Sequence, residues 1–337
     1  MIEWVNLGEK LLIHNTDGQR VFLDQNDINM TIHMLEHGEW EPHVRQIIDA
    51  SLNEGSVYID VGANIGLHSL YAAQKVGEGG KVLSFEPNKK LYKLLKANME
   101  TNGFLNRTEL YNSAVSDHNG TEKFYIYDEH ASMSGFMKEH SDFEADCFVQ
   151  DTRVIKLDDV CDQKVDLIKI DVEGFEYDVL NGARKLIEKN KDNITILFEW
   201  QPGDIIERRG EDILDKTLDL FQGWECYVAQ YLQPLRKVDI ENKKEIKDIK
   251  GCDLIMTKRK YFQNILGCVR KENISNNKQE DSMQKDLEHA HKAFYEAVAV
   301  QNDLKKEIET LKKQIQFLQD ENSDITLKKY LKNKFIK

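Results

Sequence analysis

Short apolar segments of strand length recur between stretches of helical periodicity, and this alternation constrains the chain more than any other feature of it. Residues 57–61 form an apolar run, 67–75 carry a helical pattern, 81–85 are apolar again, and 88–102 read as a helix stopped by Gly103. The pattern resumes with strands over 109–115, 165–170 and 194–198 and helices over 175–189 and 211–221. Strands joined through helices lie parallel to one another, so the expected fold class is α/β, a mostly parallel sheet covered by helices. Two late segments, 224–231 and 252–257, are joined by a lysine- and glutamate-rich connection that suits an antiparallel closing hairpin. The section between the third and fourth core strands reads as long and irregular. Ahead of the first core strand, an amphipathic stretch over 28–52 predicts two short helices broken near Gly38.

The first core strand ends in the most informative run of the chain, V-Y-I-D-V-G-A-N-I-G at residues 57–66. Gly62 and Gly66 let a ligand approach the backbone, and the helix behind them offers unpaired N–H groups. Asp60 puts a carboxylate at the strand tip, within reach of an amino group. The second strand ends in Glu86, 20 residues after Gly66, where an acid can accept both hydrogen bonds of a ribose diol. Each feature alone has an ordinary structural explanation; the order and strand contexts together predict a nucleoside-cofactor site. A dinucleotide fold needs G-x-G-x-x-G, and this turn lacks the middle glycine on which a pyrophosphate would press. S-adenosylmethionine has no pyrophosphate but carries an ammonium and a sulfonium, so the acids favour the methyl donor over a nicotinamide cofactor.

Four ordered segments carry a family resemblance: D-V-G-A-N-I-G, F-E-P-N beginning at Phe85, N-S-A-V-S-D beginning at Asn112, and I-K-I-D-V-E-G-F-E-Y beginning at Ile168. Together with G-E-W-E-P-H, from Gly38 to His43, they resemble the FkbM-type methyltransferases over about residues 18–258. The resemblance implies a class I S-adenosylmethionine-dependent methyltransferase with a Rossmann-like, mostly parallel seven-stranded sheet. It also implies hydroxyl groups of sugars or polyketide-like natural products as acceptors. It places the methionine part of the cofactor over Asp60, Gly62, Asn64 and Gly66, the ribose on Glu86, and the adenine near Ser113, Ala114 and Val115. Asp171 follows the fourth strand at the family's active-site edge, and Glu173 and Gly174 continue that motif.

Methyl transfer to an alcohol requires alignment, exclusion of water and removal of a proton. Asp171 or Glu173 can supply the base, and Glu199, at the end of the 194–198 strand, can close the same cluster. The same acids can instead grip substrate hydroxyls or hold a divalent metal, and the sequence leaves metal dependence open. Glu173 has a competing role as a cap for the helix that follows it. His33 and His37 have helical i, i+4 spacing but no third ligand nearby. Trp200 is expected in the core rather than as a sugar platform, and residues 131–136, A-S-M-S-G-F, are a loop that can border a substrate site.

Charge and the C-terminal third set the remaining expectations. The net charge is −13, which opposes binding to a nucleic-acid backbone. Five cysteines without a C-x-x-C pair, an N-terminus without a signal-peptide pattern and the lack of an 18-residue apolar run point to a cytoplasmic protein that does not span a membrane. The expected organisation is an N-terminal cap over 1–55, the methyltransferase domain over 56–260, a polar linker over 261–281, a coiled coil over 282–326 and a basic tail over 327–337. Heptads run from Leu287 with Ile308 and Ile315 at a and Leu304, Leu311 and Leu318 at d, a pattern for self-association as a parallel pair, or else for a lone amphipathic helix. The tail carries five lysines and no acid; it suits peripheral contact with an anionic membrane at the inner face, or is a solvated end. Two functions follow: an O-methyltransferase acting on a sugar, glycan or small-molecule hydroxyl, and a coiled-coil assembly protein with an inactive cofactor domain.

Overall fold

The computed structural model describes residues 4–8, 10–25, 27–127, 134–136, 147–231 and 233–259. They open with an antiparallel three-stranded sheet, β1 (Trp4–Asn6), β2 (Lys10–His14) and β3 (Arg20–Asp24), in the order β1-β2-β3. Its alternating residues Leu11, Ile13, Val21 and Leu23 are buried, as a sheet with one covered face requires. Two helices follow, α1 (Ile28–His37) and α2 (Pro42–Ser51). The break expected near Gly38 is there: Asp27 caps α1 by accepting from the Met30 N–H, and Gly38 ends it in the left-handed conformation at φ 72°.

The alternating core is next: β4 (Val57–Val61), α3 (Leu67–Val76), β5 (Lys81–Phe85), α4 (Lys89–Thr101) and β6 (Thr108–Tyr111). A side sheet then interrupts it, made of β7 (Ala114–Val115), β8 (Gly120–Tyr127) and β9 (Cys147–Ile155) in the order β7-β9-β8. After the short α5 (Leu157–Val160) the core resumes with β10 (Leu167–Ile170), α6 (Glu176–Asn181), α7 (Arg184–Asn190) and β11 (Thr195–Trp200). The chain continues through α8 (Pro202–Arg209), α9 (Asp212–Asp219), β12 (Glu225–Ala229), β13 (Arg236–Val238), α10 (Lys243–Asp248) and β14 (Cys252–Thr257).

The main sheet has eight strands in the order β13-β12-β14-β11-β10-β4-β5-β6. This corrects the mostly parallel seven-stranded expectation, because the sheet is mixed. The pairs from β11 to β6 are parallel, whereas β14 runs antiparallel to both β11 and β12, and β13 antiparallel to β12. The two late strands do pair, but β14 inserts between β11 and β12, and their connection carries β13 and α10. From β4 the chain winds outward to β5 and β6, then crosses back to β10 on the other side. A crevice opens at the carboxyl ends of β4 and β10 where the winding reverses.

Strand alternation builds a core on each face. Ile59, Ile168, Ile196 and Phe198 point into one cluster, and Tyr58, Leu167, Leu197 and Ile255 into another against Val44, Ile47 and Ile48 of α2. Trp200 is fully buried in the first cluster with its Nε1 donating to the Ile246 carbonyl at 3.0 Å, the core position expected of it.

Three further expectations change. The third strand, read as 109–115, is broken: β6 stays in the main sheet and β7 leaves for the side sheet. Asn112 sits at the break, its Nδ2 donating to the Glu86 and Pro87 carbonyls. The section read as irregular contains the long β8–β9 antiparallel pair, whose Phe148 and Val149 are exposed side by side and so hide the period-two signal. The helix read over 175–189 is two helices, divided at Gly182. Among the described residues no helix is long and apolar enough to cross a membrane. Residues 261–281, 282–326 and 327–337, with the linker, coiled coil and basic tail expected there, lie outside the described residues.

A Cβ at Gly182 would stand 2.0 Å from the Ser116 carbonyl oxygen, whereas one at Gly203 in α8 would meet nothing within 4 Å. Gly182→Ala is expected to lower unfolding stability by about 2–4 kcal/mol, because a backbone oxygen cannot give way. Gly203→Ala is expected to raise it by about 0.5 kcal/mol through the unfolded state. Urea denaturation of the two variants checks both signs.

Candidate active site

At the carboxyl end of β4, Gly62 takes φ 79° and its N–H donates to the Phe85 carbonyl. A Cβ there would lie 1.8 Å from the Asp171 carbonyl oxygen, so this glycine lets the β4 and β10 turns touch rather than only clearing space for a ligand. Gly66 likewise meets a neighbour: its Cβ would lie 2.4 Å from Leu95 Cδ1 of α4. Between them, Asn64 is a non-glycine residue at φ 51°.

A cleft of about 330 Å³ opens over this edge and is lined by Gly62, Asn64, Glu86, Ser113, Ala114, Val115, Asp171, Glu173 and Glu199. Nine of the eleven residues assigned to the site by sequence therefore meet in one cavity; Asp60 and Gly66 are buried and do not line it. Glu86 is buried at the tip of β5, where its two oxygens accept from the Asn64 and Asn88 N–H groups at 2.8 Å each. Burial pushes its carboxyl up to about 7, against those two hydrogen bonds. Asn64 Oδ1 and Ser113 Oγ, also on the cleft, are buried with no hydrogen-bond partner among the described residues. Buried polar atoms are rarely left unpaired, and an acid that shares the cleft with two such atoms fits the ribose and base of a nucleoside.

Asp60 is fully buried and is not on the cleft. It accepts from Ser69 Oγ, and Lys169 of β10 stands over it with Nζ 3.9 Å from Asp60 Oδ1. The same Nζ donates to Asp171 Oδ2 at 2.9 Å. Burial works against a charge on Lys169, but Asp171, Asp60 and Glu41 more than offset it and raise its pKa above the ordinary lysine value. A buried ammonium thus joins the acid at the end of β4 to the acid that follows β10.

Asp171, Glu173 and Glu199 each offer a carboxylate oxygen within 4.8 Å of the others, and among the described residues they are the one acidic or histidine group close enough to converge on a cation. Burial pushes the Glu173 carboxyl up to about 9, with the Asp171 charge adding to it. Burial and the charges of Asp171 and Glu173 also raise Glu199. Glu173 sits at φ 56°, a strained conformation for a side-chain-bearing residue. Arg208 steadies it by donating to its carbonyl oxygen, and Glu176 Oε1 accepts from the Val172 and Gly174 N–H groups at 3.3 and 3.1 Å. The capping role considered for Glu173 is absent: Phe175 is the N-cap of α6 and receives no side-chain cap.

The sequence reading missed Lys169, Glu176 and two histidine–carboxylate pairs. His68 Nε2 meets Glu41 Oε2 at 2.8 Å, and His43 Nε2 meets Asp253 Oδ2 at 2.9 Å. Burial opposes ionisation of Glu41, yet the hydrogen bond and charge of His68, helped by Lys169 and His43, hold it at about 2. Asp253 lies directly opposite Glu199 across the β11–β14 pair. A signal existed for Lys169, since alternation along β10 puts it on the same face as Asp171. The pairs join positions 27 and 210 residues apart, which local pattern cannot reveal. His33 and His37 pack ring against ring at 4.6 Å, and the described residues bring them no third ligand.

Residues 60–229 match the family model described as the methyltransferase FkbM domain, and the chain belongs to that family of methyltransferases. It is 29% identical over 202 residues to the methyltransferase sdnD of Sordaria araneosa, covering 51% of this chain and 76% of that protein. It is 27% identical over 205 residues to the 2-O-methyltransferase NoeI of Sinorhizobium fredii, covering 56% and 79%. Among solved structures it is similar to a methyltransferase FkbM from Methylobacillus flagellatus at 18% identity and a TM-score of 0.39, covering 60% of this chain and 44% of that one.

The raised Glu173 carboxyl makes a directional forecast. Ionising it is harder in the folded than in the unfolded chain, so the wild-type protein loses stability as the pH rises from the ordinary value of 4.5 towards about 9. Glu173→Gln cannot ionise. Its melting temperature relative to wild type is expected to climb across that range and to level off above it. A thermal melt series in pH checks this; a flat difference means that Glu173 titrates normally.

Proposed function

We propose that the protein is an S-adenosylmethionine-dependent O-methyltransferase whose acceptor is a hydroxyl group on a sugar, glycan or related natural product. The observation that carries this reading is the meeting, in one cleft, of Glu86 and the unpartnered Asn64 and Ser113 atoms with the Asp171, Glu173 and Glu199 carboxylates. Glu86, with lone pairs remaining beyond its two backbone bonds, holds the ribose hydroxyls. Asn64 and Ser113 supply the missing hydrogen bonds at the adenosine end, near Ala114 and Val115. When bound, S-adenosylmethionine supplies a methyl group already activated by a sulfonium cation. The surplus of carboxylates in the cleft suits such a cation, and no pyrophosphate site is evident in the turn.

On the acceptor side, the protein must orient an alcohol and take its proton as the new C–O bond forms. Asp171 fits the role of base: it is at the cleft, and the Lys169 ammonium fixes one of its oxygens. Glu173 and Glu199, with carboxyls raised by burial and by their neighbours, retain protons more readily. They are placed to donate or share hydrogen bonds with adjacent hydroxyls. The relative named as a 2-O-methyltransferase supports oxygen as the methylated atom.

Calorimetry with S-adenosylmethionine tests the first half of this reading, and mass spectrometry of sugars incubated with a deuterated methyl donor tests the second. Glu86→Ala is expected to weaken cofactor binding by about 1–3 kcal/mol, the range for losing charge-assisted hydrogen bonds. Asp171→Asn is expected to lower turnover while leaving cofactor affinity unchanged. Absence of cofactor binding by the wild-type protein, or full turnover by Asp171→Asn, overturns the corresponding assignment.

A further inference from the structure

The cleft also has an apolar wall that the carboxylates do not account for. Trp40, in the connection between α1 and α2, lines the same cavity as Asp171, Glu173 and Glu199. It is half-buried, backed by the apolar cluster that includes Met30 and Met34, and met edge-on by the His33 ring at 5.2 Å and 84°. Its neighbours are held firmly. Glu41 keeps a left-handed backbone at φ 45°, which persists in a non-glycine residue only where the surroundings enforce it. The Glu41 side chain is tied to His68 in the first turn of α3, directly after the cofactor turn. Two residues further on, His43 is tied to Asp253, which faces Glu199 across the sheet. The indole therefore has a fixed relation both to the cofactor turn and to the acid cluster, the preorganisation that a selective site requires.

Charge narrows the chemistry of what lies against it. The cleft is lined by Asp27, Glu41, Glu86, Asp171, Glu173 and Glu199, whereas Lys169 is already engaged by Asp171 and His68 by Glu41. Among the described lining residues a phosphate or carboxylate on the acceptor finds no cation that is not already engaged, and it adds charge beside acids that burial already makes hard to ionise. A neutral ring rich in hydroxyls finds an aromatic face for its C–H side and carboxylates for its O–H groups.

We propose that Trp40 is the specificity-determining residue of the acceptor subsite, an aromatic platform on which a neutral pyranose ring lies while Asp171, Glu173 and Glu199 hold its hydroxyls. The inference rests on the methyl-transfer reading and narrows its substrate class to neutral carbohydrate, against sugar phosphates and nucleotide sugars.

The test is saturation-transfer NMR on the full chain loaded with S-adenosylhomocysteine. The probes are methyl glucopyranoside, methyl galactopyranoside, maltotriose and chitotriose, with glucose 6-phosphate and uridine diphosphate glucose as charged counterparts. Transfer to the ring C–H protons of a neutral probe is expected, with none to the charged sugars. Trp40→Ala should weaken that binding by about tenfold or more, and Trp40→Phe, which keeps an aromatic face, by about threefold or less. Calorimetry should give all three proteins the same affinity for S-adenosylhomocysteine, which separates loss of the platform from loss of the fold. Failure of every neutral probe to bind loaded protein, equal binding by Trp40→Ala, or equal binding of charged and neutral sugars overturns the inference and leaves the cofactor site standing. A wild-type protein that takes up no S-adenosylhomocysteine overturns the methyl-transfer reading, and this inference with it.

Discussion

The site depends on how closely two backbones approach at the reversal of the sheet. Where β4 and β10 end, the Gly62 α-carbon lies so near the Asp171 carbonyl that a side chain at 62 would stand 1.8 Å from its oxygen. That approach brings the turn assigned to the cofactor and the turn bearing Asp171 and Glu173 into a single cavity. Ligand crevices form at such reversals because adjacent connections leave in opposite directions. Here the two halves are in contact through the backbone, so the position of one fixes the position of the other.

Electrostatics extends the same coupling. Lys169 is nearly inaccessible, and its ammonium lies between Asp60, which does not line the cleft, and Asp171, which does. Removing one member of such a buried set leaves an uncompensated charge, which is far costlier than loss of a surface ion pair. In and beside the cleft the acids are crowded and poorly solvated, and Glu86, Glu173 and Glu199 on it and Glu176 behind the β10 turn all have raised carboxyl pKa values. A pocket of that kind favours a positively charged occupant, which restores the balance that burial has disturbed. A sulfonium cofactor meets that requirement, and a dinucleotide with its anionic pyrophosphate does not.

Much of this was legible in the sequence because it is local. The β4 strand, its glycine turn, Glu86 at the tip of β5, the acids after β10 and Glu199 near the end of β11 are each set by residues a few positions apart, and the strand–helix alternation arranges these ends on one edge. Local pattern failed where tertiary contact decides. Gly182 divides a continuous helical pattern only because Ser116 lies against it, and Ser113 to Val115 leave the main sheet because Asn112 anchors the chain to the carbonyls of Glu86 and Pro87. Asp60 was read as a ligand-facing acid, but the long Lys169 side chain covers it. Glycines at 62 and 66 were singled out for the approach of a ligand; in the structure they answer to the Asp171 carbonyl and to Leu95.

A crystal structure of the full chain with S-adenosylhomocysteine tests the central claim most directly, because one electron-density map reports on both halves of the cleft. The account predicts the ribose hydroxyls on Glu86, the adenine beside Ser113 to Val115, and the homocysteine sulfur facing the space bordered by Asp171, Glu173 and Glu199. A nucleoside bound away from Glu86, or a sulfur turned away from the three carboxylates, would contradict it.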